Sequence, residues 1–389
     1  MKILFAGDMC FSYMERLPKR EEIARIVADV KPVFAAADFR MVNLECVLYD
    51  EPGTPIVKSG PNLKAAGGFV DYLNELDVDL AGLANNHIGD FGADAIRSTA
   101  GILRDNGIAY IGAGETVEEA YRAHIFAKDG LRVSVIAACE NEFGTADDDT
   151  PGAAGFNLYR LARRIREEKA KADYVVFYFH GGNEFNPFPS PRKTELYRHI
   201  ADLGADAVVA MHTHCPQGYE IYHGKPIVYS MGNFYFPPKN ESYENTDSSW
   251  FFGYFSLLEF TAGGITLSVH PYHFGFQGDP ITLLDGENLA CFTEYLNRLC
   301  RPIGDAKEIK RLFHIWCTIT GRAYTRHLDP NRLSEGAARA AGMRNVFSCE
   351  AHDELLYALT ELAYRERVQE FAALQSEIKR LQTLHLPQA

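Results

Sequence analysis

The chain has 389 residues, enough for two domains of typical size or one large domain with an addition. Its 47% hydrophobic and 23% charged residues are the make-up of a globular protein, and its formal net charge of −13 argues against a nucleic-acid binder, whose affinity rests on Lys and Arg neutralising phosphates. No run approaches the roughly 18–20 apolar residues of a membrane helix. Met1 leads straight into an apolar strand without the marks of a secretory signal, and the eight cysteines are scattered with no Cys-x-x-Cys. A cytoplasmic protein with free thiols is the expectation.

In chain order, apolar runs predict strands at Lys2–Gly7, Phe39–Leu44, Leu80–Leu83, Ala109–Ile111, Arg132–Ala137, Tyr174–Phe179 and Ala207–Ala210. Helical periodicity lies between them, at Glu21–Ala37, Phe69–Leu76, Ala93–Asn106, Leu158–Lys171 and Lys193–Leu203, with Pro32 kinking or dividing the first. This alternation predicts a layered α/β fold. After Met211 the strands Tyr219–Tyr222, Pro226–Tyr229, Phe251–Phe260 and Ile265–His270 follow one another through short turns, and a second, antiparallel sheet is expected. From about Gly286 the pattern turns helical and ends in one long charged helix over His352–Leu384; the expected division is 1–280 and a helical region 281–389.

The polar residues sit at strand ends. Asp8 follows the first strand, Asn43-Leu44-Glu45 the second, and Asn85-Asn86-His87 the third, with Asp90 close behind. "DYVVFYFH" ends at His180, and "DAVVAMHTH" brings His212 and His214, which face the same way on an extended segment. Ligands of α/β sheets gather at the carboxyl ends of strands. Carboxylate, amide and imidazole donors collected there suit Mn, Fe or Zn, and a carboxylate bridges two metals readily. Each piece alone has an ordinary structural reading as a turn, loop or core residue; their joint position points to one shared site.

The stretches "FAGDM", "DFRMVNLE", "LANNHIGDFG", "YIGAG", "HGGNE", "DLGADAVVAMHTH" and "YSMGNFYF", in that order over residues 1–240, resemble the poly-γ-glutamate capsule biosynthesis (CapA-like) family of the calcineurin-like metallophosphoesterase superfamily. The resemblance implies a four-layer α/β/β/α sandwich, here with a C-terminal helical extension that it does not cover. It implies one or two divalent metals, with Asp8 and His214 on the first, Asn86, His180 and His212 on the second, and Glu45 where the superfamily has a bridging Asp. It also places His87 beside the leaving group as a general acid, assisted by Asp90 unless Asp90 instead caps the next helix.

Three departures stand out. Cys10 occupies the place of a metal-binding His, as a substitute thiolate or as a small buried thiol. Gly181 stands where the family usually has Trp, which would open the floor or rim of the site. Met211-His212-Thr213-His214-Cys215 replaces a more common Gly-His-His-Pro-His. Cys46 and Cys215, next to proposed ligands, are expected to pack into the back of the sheet. Glu184 and Asn233 are candidates for holding metal or supporting the site, Asn233 through a hydrogen bond; Glu184 is otherwise substrate-binding or a surface acid of its loop. Lys58 lies in a loop that is either substrate-facing or plain surface, and Phe185–Pro191 is either a lid or a packed connection.

The expected function is a metal-dependent hydrolase, metal-activated water attacking a phosphoester or amide-type bond of an anionic or polymeric substrate, linked by resemblance to poly-γ-glutamate or cell-envelope polymer metabolism. The alternative is a non-catalytic metal-binding accessory protein whose C-terminal helices face a partner or a second copy.

Overall fold

A computed structural model of the chain describes residues 1–239 and 242–387. Two large sheets form the centre. The first runs, edge to edge, through Ile281–Leu283, Gly264–Phe274, Phe252–Thr261, Lys2–Met9, Phe39–Leu44, Leu80–Gly82 and Ala109–Ile111, with Asn233–Tyr235 also on Lys2–Met9. The second runs through Tyr219–Tyr222, Lys225–Val228, Ala207–Met211, Tyr174–His180, Leu131–Cys139 and His124–Lys128. They face each other: the Phe5 and Tyr178 rings lie 6.1 Å apart, and the Tyr178 hydroxyl donates to the Ala6 carbonyl at 3.3 Å. Residues on both strand faces are therefore buried, which is why these strands read as continuous apolar runs.

Helices cover the outer faces. Gly92–Asp105 packs beside Ala109–Ile111 of the first sheet; Leu158–Lys169 and Pro191–Asp202 pack on the second. The result is the expected α/β/β/α stack. Local chemistry sets the helix starts: Asn157 Oδ1 accepts from the Arg160 amide, and Ser190 Oγ accepts from the Lys193 amide with Pro191 following. The first predicted helix is divided into Arg20–Val27 and Lys31–Ala35, with Pro32 in the first turn of the second piece.

Two expectations are corrected. The strands after Met211 do not make a separate antiparallel sheet. Tyr219–Tyr222 and Lys225–Val228 extend the second large sheet, while Phe252–Thr261, Gly264–Phe274 and Ile281–Leu283 complete the first by antiparallel pairing onto Lys2–Met9. The predicted helix over 352–384 is three helices, Glu350–Tyr364, Val368–Ala372 and Ser376–Lys379. The first break carries Glu366 at φ 57°, and the turns keep Leu362, Phe371 and Ile378 buried, which one straight rod would not do.

Candidate metal centre

The strands Lys2–Met9, Phe39–Leu44 and Leu80–Gly82 are parallel and, past an irregularity between Phe5 and Asp8, set Asp8 beside Asn43 and Asn43 beside Gly82. Tyr174–His180 and Ala207–Met211 are likewise parallel, with His180 beside Met211. Their carboxyl ends meet between the two sheets. Close approach there requires glycine: a Cβ on Gly7 would overlap the carbonyl oxygen of Gly232, which accepts the Asp8 amide at 3.3 Å. His212 and His214 both have positive φ, 97° and 53°. Such conformations cost free energy in non-glycine residues and are found where surrounding structure enforces them.

Glu45 is the centre of the arrangement. It is fully buried, and neither carboxylate oxygen has a hydrogen-bond partner. Around its Oε1 stand three imidazole nitrogens: His180 Nε2 at 3.5 Å, His214 Nε2 at 3.7 Å and His87 Nε2 at 3.9 Å. His180 Nε2 also lies 3.0 Å from Asn86 Oδ1 and 2.9 Å from His212 Nδ1. Two donor groups result, Glu45/His180/His212 and Asp8/Glu45/His214, with atoms in each within 4.8 Å of one another and Glu45 common to both. A buried carboxylate without donors, faced by imidazole nitrogens and an amide oxygen, is costly alone and suited to a cation. The residues present thus fit divalent-metal binding, with Glu45 common to both donor groups.

The electrostatics follow from burial. Burial, then the nearby Asp8 carboxylate, pushes Glu45 well above the usual carboxylate range. Asp8 is also raised by burial, but hydrogen bonding and charge from His180, charge from His214, and the His212 amide at 2.9 Å outweigh it and leave Asp8 lowered. Burial, reinforced by Lys58, brings His87 down to about 4.

A shell of polar contacts holds these groups. Asn43 Nδ2 donates to Asp8 Oδ1 at 2.8 Å and lies 3.2 Å from His180 Nδ1. Asn85 Nδ2 donates to the Leu44 carbonyl, and its Oδ1 accepts the His87 amide. Asn233 Oδ1 is 2.8 Å from His214 Nδ1 while its Nδ2 donates to the Trp250 carbonyl at 3.1 Å. His87 Nδ1 is 2.7 Å from Asp90 Oδ2 and 3.1 Å from Lys58 Nζ, and Lys58 is ion-paired with Asp90. The Lys58 side chain is 2% exposed, so it is no plain surface residue; Asp90 caps no helix, and Gly92–Asp105 has no side-chain cap.

Other candidates lie elsewhere. Cys10 is outside both donor groups; its buried thiol packs against Cys46 and Ser12, and burial raises its pKa well above the ordinary thiol range. Cys215 is buried and donates to the Asn186 carbonyl at 3.4 Å. Glu184 is exposed and adds negative field at Glu45. Gly181 opens nothing: a Cβ there would stand 2.7 Å from Glu140 Cγ and 2.7 Å from the Phe179 ring, so the space expected to be vacant is filled from the neighbouring strand end. Phe185–Pro191 is a packed connection, with Phe188 buried and Phe185 stacked 5.9 Å from Trp250. The roles of Asn43 and Asn85 escaped the sequence reading although both lie in its motifs.

Residues 2–238 match the family described as Bacterial capsule synthesis protein PGA_cap. The chain belongs to this family. Among its relatives, the "PGA biosynthesis protein CapA" of Bacillus subtilis is 28% identical over 236 residues, covering 60% of this chain and 62% of the relative. The "Capsule biosynthesis protein CapA" of Bacillus anthracis is 27% identical over 245 residues, 61% of this chain and 60% of that one. The chain thus spans about six tenths of the length of each. Among solved structures, a 5'-nucleotidase precursor from Thermus thermophilus is similar at 15% identity with a TM-score of 0.44, covering 72% of this chain and 55% of that one. The PGA_cap match ends before the helices that start at Gly286, and among the described residues no helix is long and apolar enough to cross a membrane.

Proposed function

We propose that this PGA_cap protein is a metal-dependent hydrolase. Its metals would be held by Asp8, Glu45, Asn86, His180, His212 and His214, and Mn, Fe or Zn suits that mixed donor set. The observation that carries the proposal is the buried, unpartnered Glu45 carboxylate ringed by three imidazole nitrogens. When bound, such metals supply Lewis acidity and activated water. The chain's own residues orient and move protons. Asn43 Nδ2 fixes Asp8 through Oδ1 beside the His180 ring, and Asn233 keeps His214 Nε2 turned inward. His87 presents Nε2 to the same chamber, its ring held by Asp90 and Lys58 at Nδ1, where it can handle a proton at the bond being cut. A phosphoester or amide-type bond of an anionic polymer is the substrate class; what supports the polymer is family membership and the relatives' names.

The test is metal analysis of protein purified without chelator, followed by hydrolysis assays with phosphoesters and with poly-γ-glutamate under added Mn, Fe or Zn. Bound transition metal is expected, with hydrolysis falling by about 100-fold or more in His87→Ala, the range seen for general acid–base groups. His180→Ala is expected to lose both metal and activity. Folded wild-type protein that takes up no transition metal and gains no activity from it overturns the proposal.

A further inference from the structure

A third group of donors lies where the C-terminal helices meet the core. Glu142 follows the strand Leu131–Cys139; Cys349 and His352 lie at the start of the helix Glu350–Tyr364. Glu142, Cys349 and His352 each offer one donor atom, all within 4.8 Å of one another. Cys349 is 1% exposed and the Glu142 side chain 10%. A three-residue spacing in the first helical turn puts Cys349 and His352 on one side. His352 Nδ1 is buried with no hydrogen-bond partner, an expensive state for a ring nitrogen.

We propose that these three residues form a separate binding site for a thiophilic divalent cation, zinc by its chemistry. Thiolate, imidazole and carboxylate together are a zinc donor set, and three protein donors leave a fourth position for water. The site shares no donor with the pair proposed around Glu45, and two of its donors lie beyond residue 238, where the family match ends. It touches that pair at one point: Glu142 Oε1 is 3.7 Å from His212 Nε2, on the opposite side of the ring from His212 Nδ1, which faces His180. Glu142 Oε2 accepts from Asn345 Nδ2 at 3.3 Å, so the carboxylate is already fixed toward the C-terminal helices. A cation here joins those helices to the rim of the centre and steadies Glu142 against His212.

Cobalt(II) is the probe, because a thiolate donor gives it a near-ultraviolet charge-transfer band that nitrogen and oxygen donors do not. Full-length wild-type protein loaded with cobalt is expected to show this band and to hold one cation more per chain than Cys349→Ser, which loses it. His352→Gln is expected to bind that cation at least 10-fold more weakly, and serves if Cys349→Ser does not fold. Cys10→Ala should keep the band. His180→Ala should keep it too while losing cations from the pair, so failure of the hydrolase reading and failure of this one are told apart. An identical band and cation count in wild type and Cys349→Ser, or a band lost only in Cys10→Ala, overturns the proposal.

Discussion

Asn233 shows how one amide decides what a neighbouring imidazole can do. Its Nδ2 donates to the Trp250 carbonyl, and a flipped amide would set oxygen against oxygen there. That leaves Oδ1 facing His214 Nδ1, so Nδ1 is the nitrogen that donates and Nε2 is turned toward Glu45. Asn233→Ala is expected to weaken metal binding by about 10–100-fold, the usual effect of losing such a partner, while the fold survives. Competition with a graded chelator series measures it; unchanged affinity would show that the amide does not set the tautomer. None of this was legible in "SMGNF", because the motif places an amide near the site without saying which of its two ends is already committed. Cys10 is the reverse case. Its position in the chain invites a ligand role, and only the three-dimensional packing shows its thiol directed to Cys46.

The strand ends carried most of what could be read in advance. Parallel strands in register deliver their last residues to one edge, so an apolar run ending in Asp, Glu, Asn or His already announces where that side chain goes. Asp8, Glu45, Asn86, His180, His212 and His214 all meet there. Strand partners were a different matter. Which of two sheets receives Phe252–Thr261 depends on its pairing with Lys2–Met9, some 250 residues earlier, and the alternation of its own side chains does not reveal that. The C-terminal breaks were hidden similarly, since Glu366 has no helix-breaking chemistry and is turned by the burial of Leu362 and Phe371 on either side. Where strands pass closest, the tolerance is smallest. Gly7→Ala would force its methyl into the Gly232 carbonyl, backbone that cannot yield as a flexible side chain does. A loss of about 1–3 kcal/mol or more is expected in denaturant unfolding; a variant as stable as wild type would mean that the two strands separate readily.

The C-terminal region grips the loops that frame the centre. Glu350 accepts from the Asn141 amide and side chain, Asn183 Nδ2 donates to the Ala351 carbonyl at 3.1 Å, and Gln382 Nε2 donates to the Phe185 carbonyl at 3.0 Å. The loops after Cys139 and His180 are thus held from outside the region the family match covers. A chain ending at residue 349 is expected to be cut in these loops at least 10-fold faster than wild type in limited proteolysis read by mass spectrometry. Equal rates would show that the loops hold themselves.

The hydrogen bond from the His212 amide to Asp8 joins positions 204 residues apart. At about 5–20 residues per second, a ribosome takes roughly 10–40 s between making the two. Through that interval the apolar strand Ile3-Leu4-Phe5-Ala6 waits for Phe252–Thr261, its flanking partner, and two of the centre's histidines have not been made. His212 and the strand Phe252–Thr261 therefore reach Lys2–Met9 only late in synthesis, and until then the first strand is without its antiparallel partner.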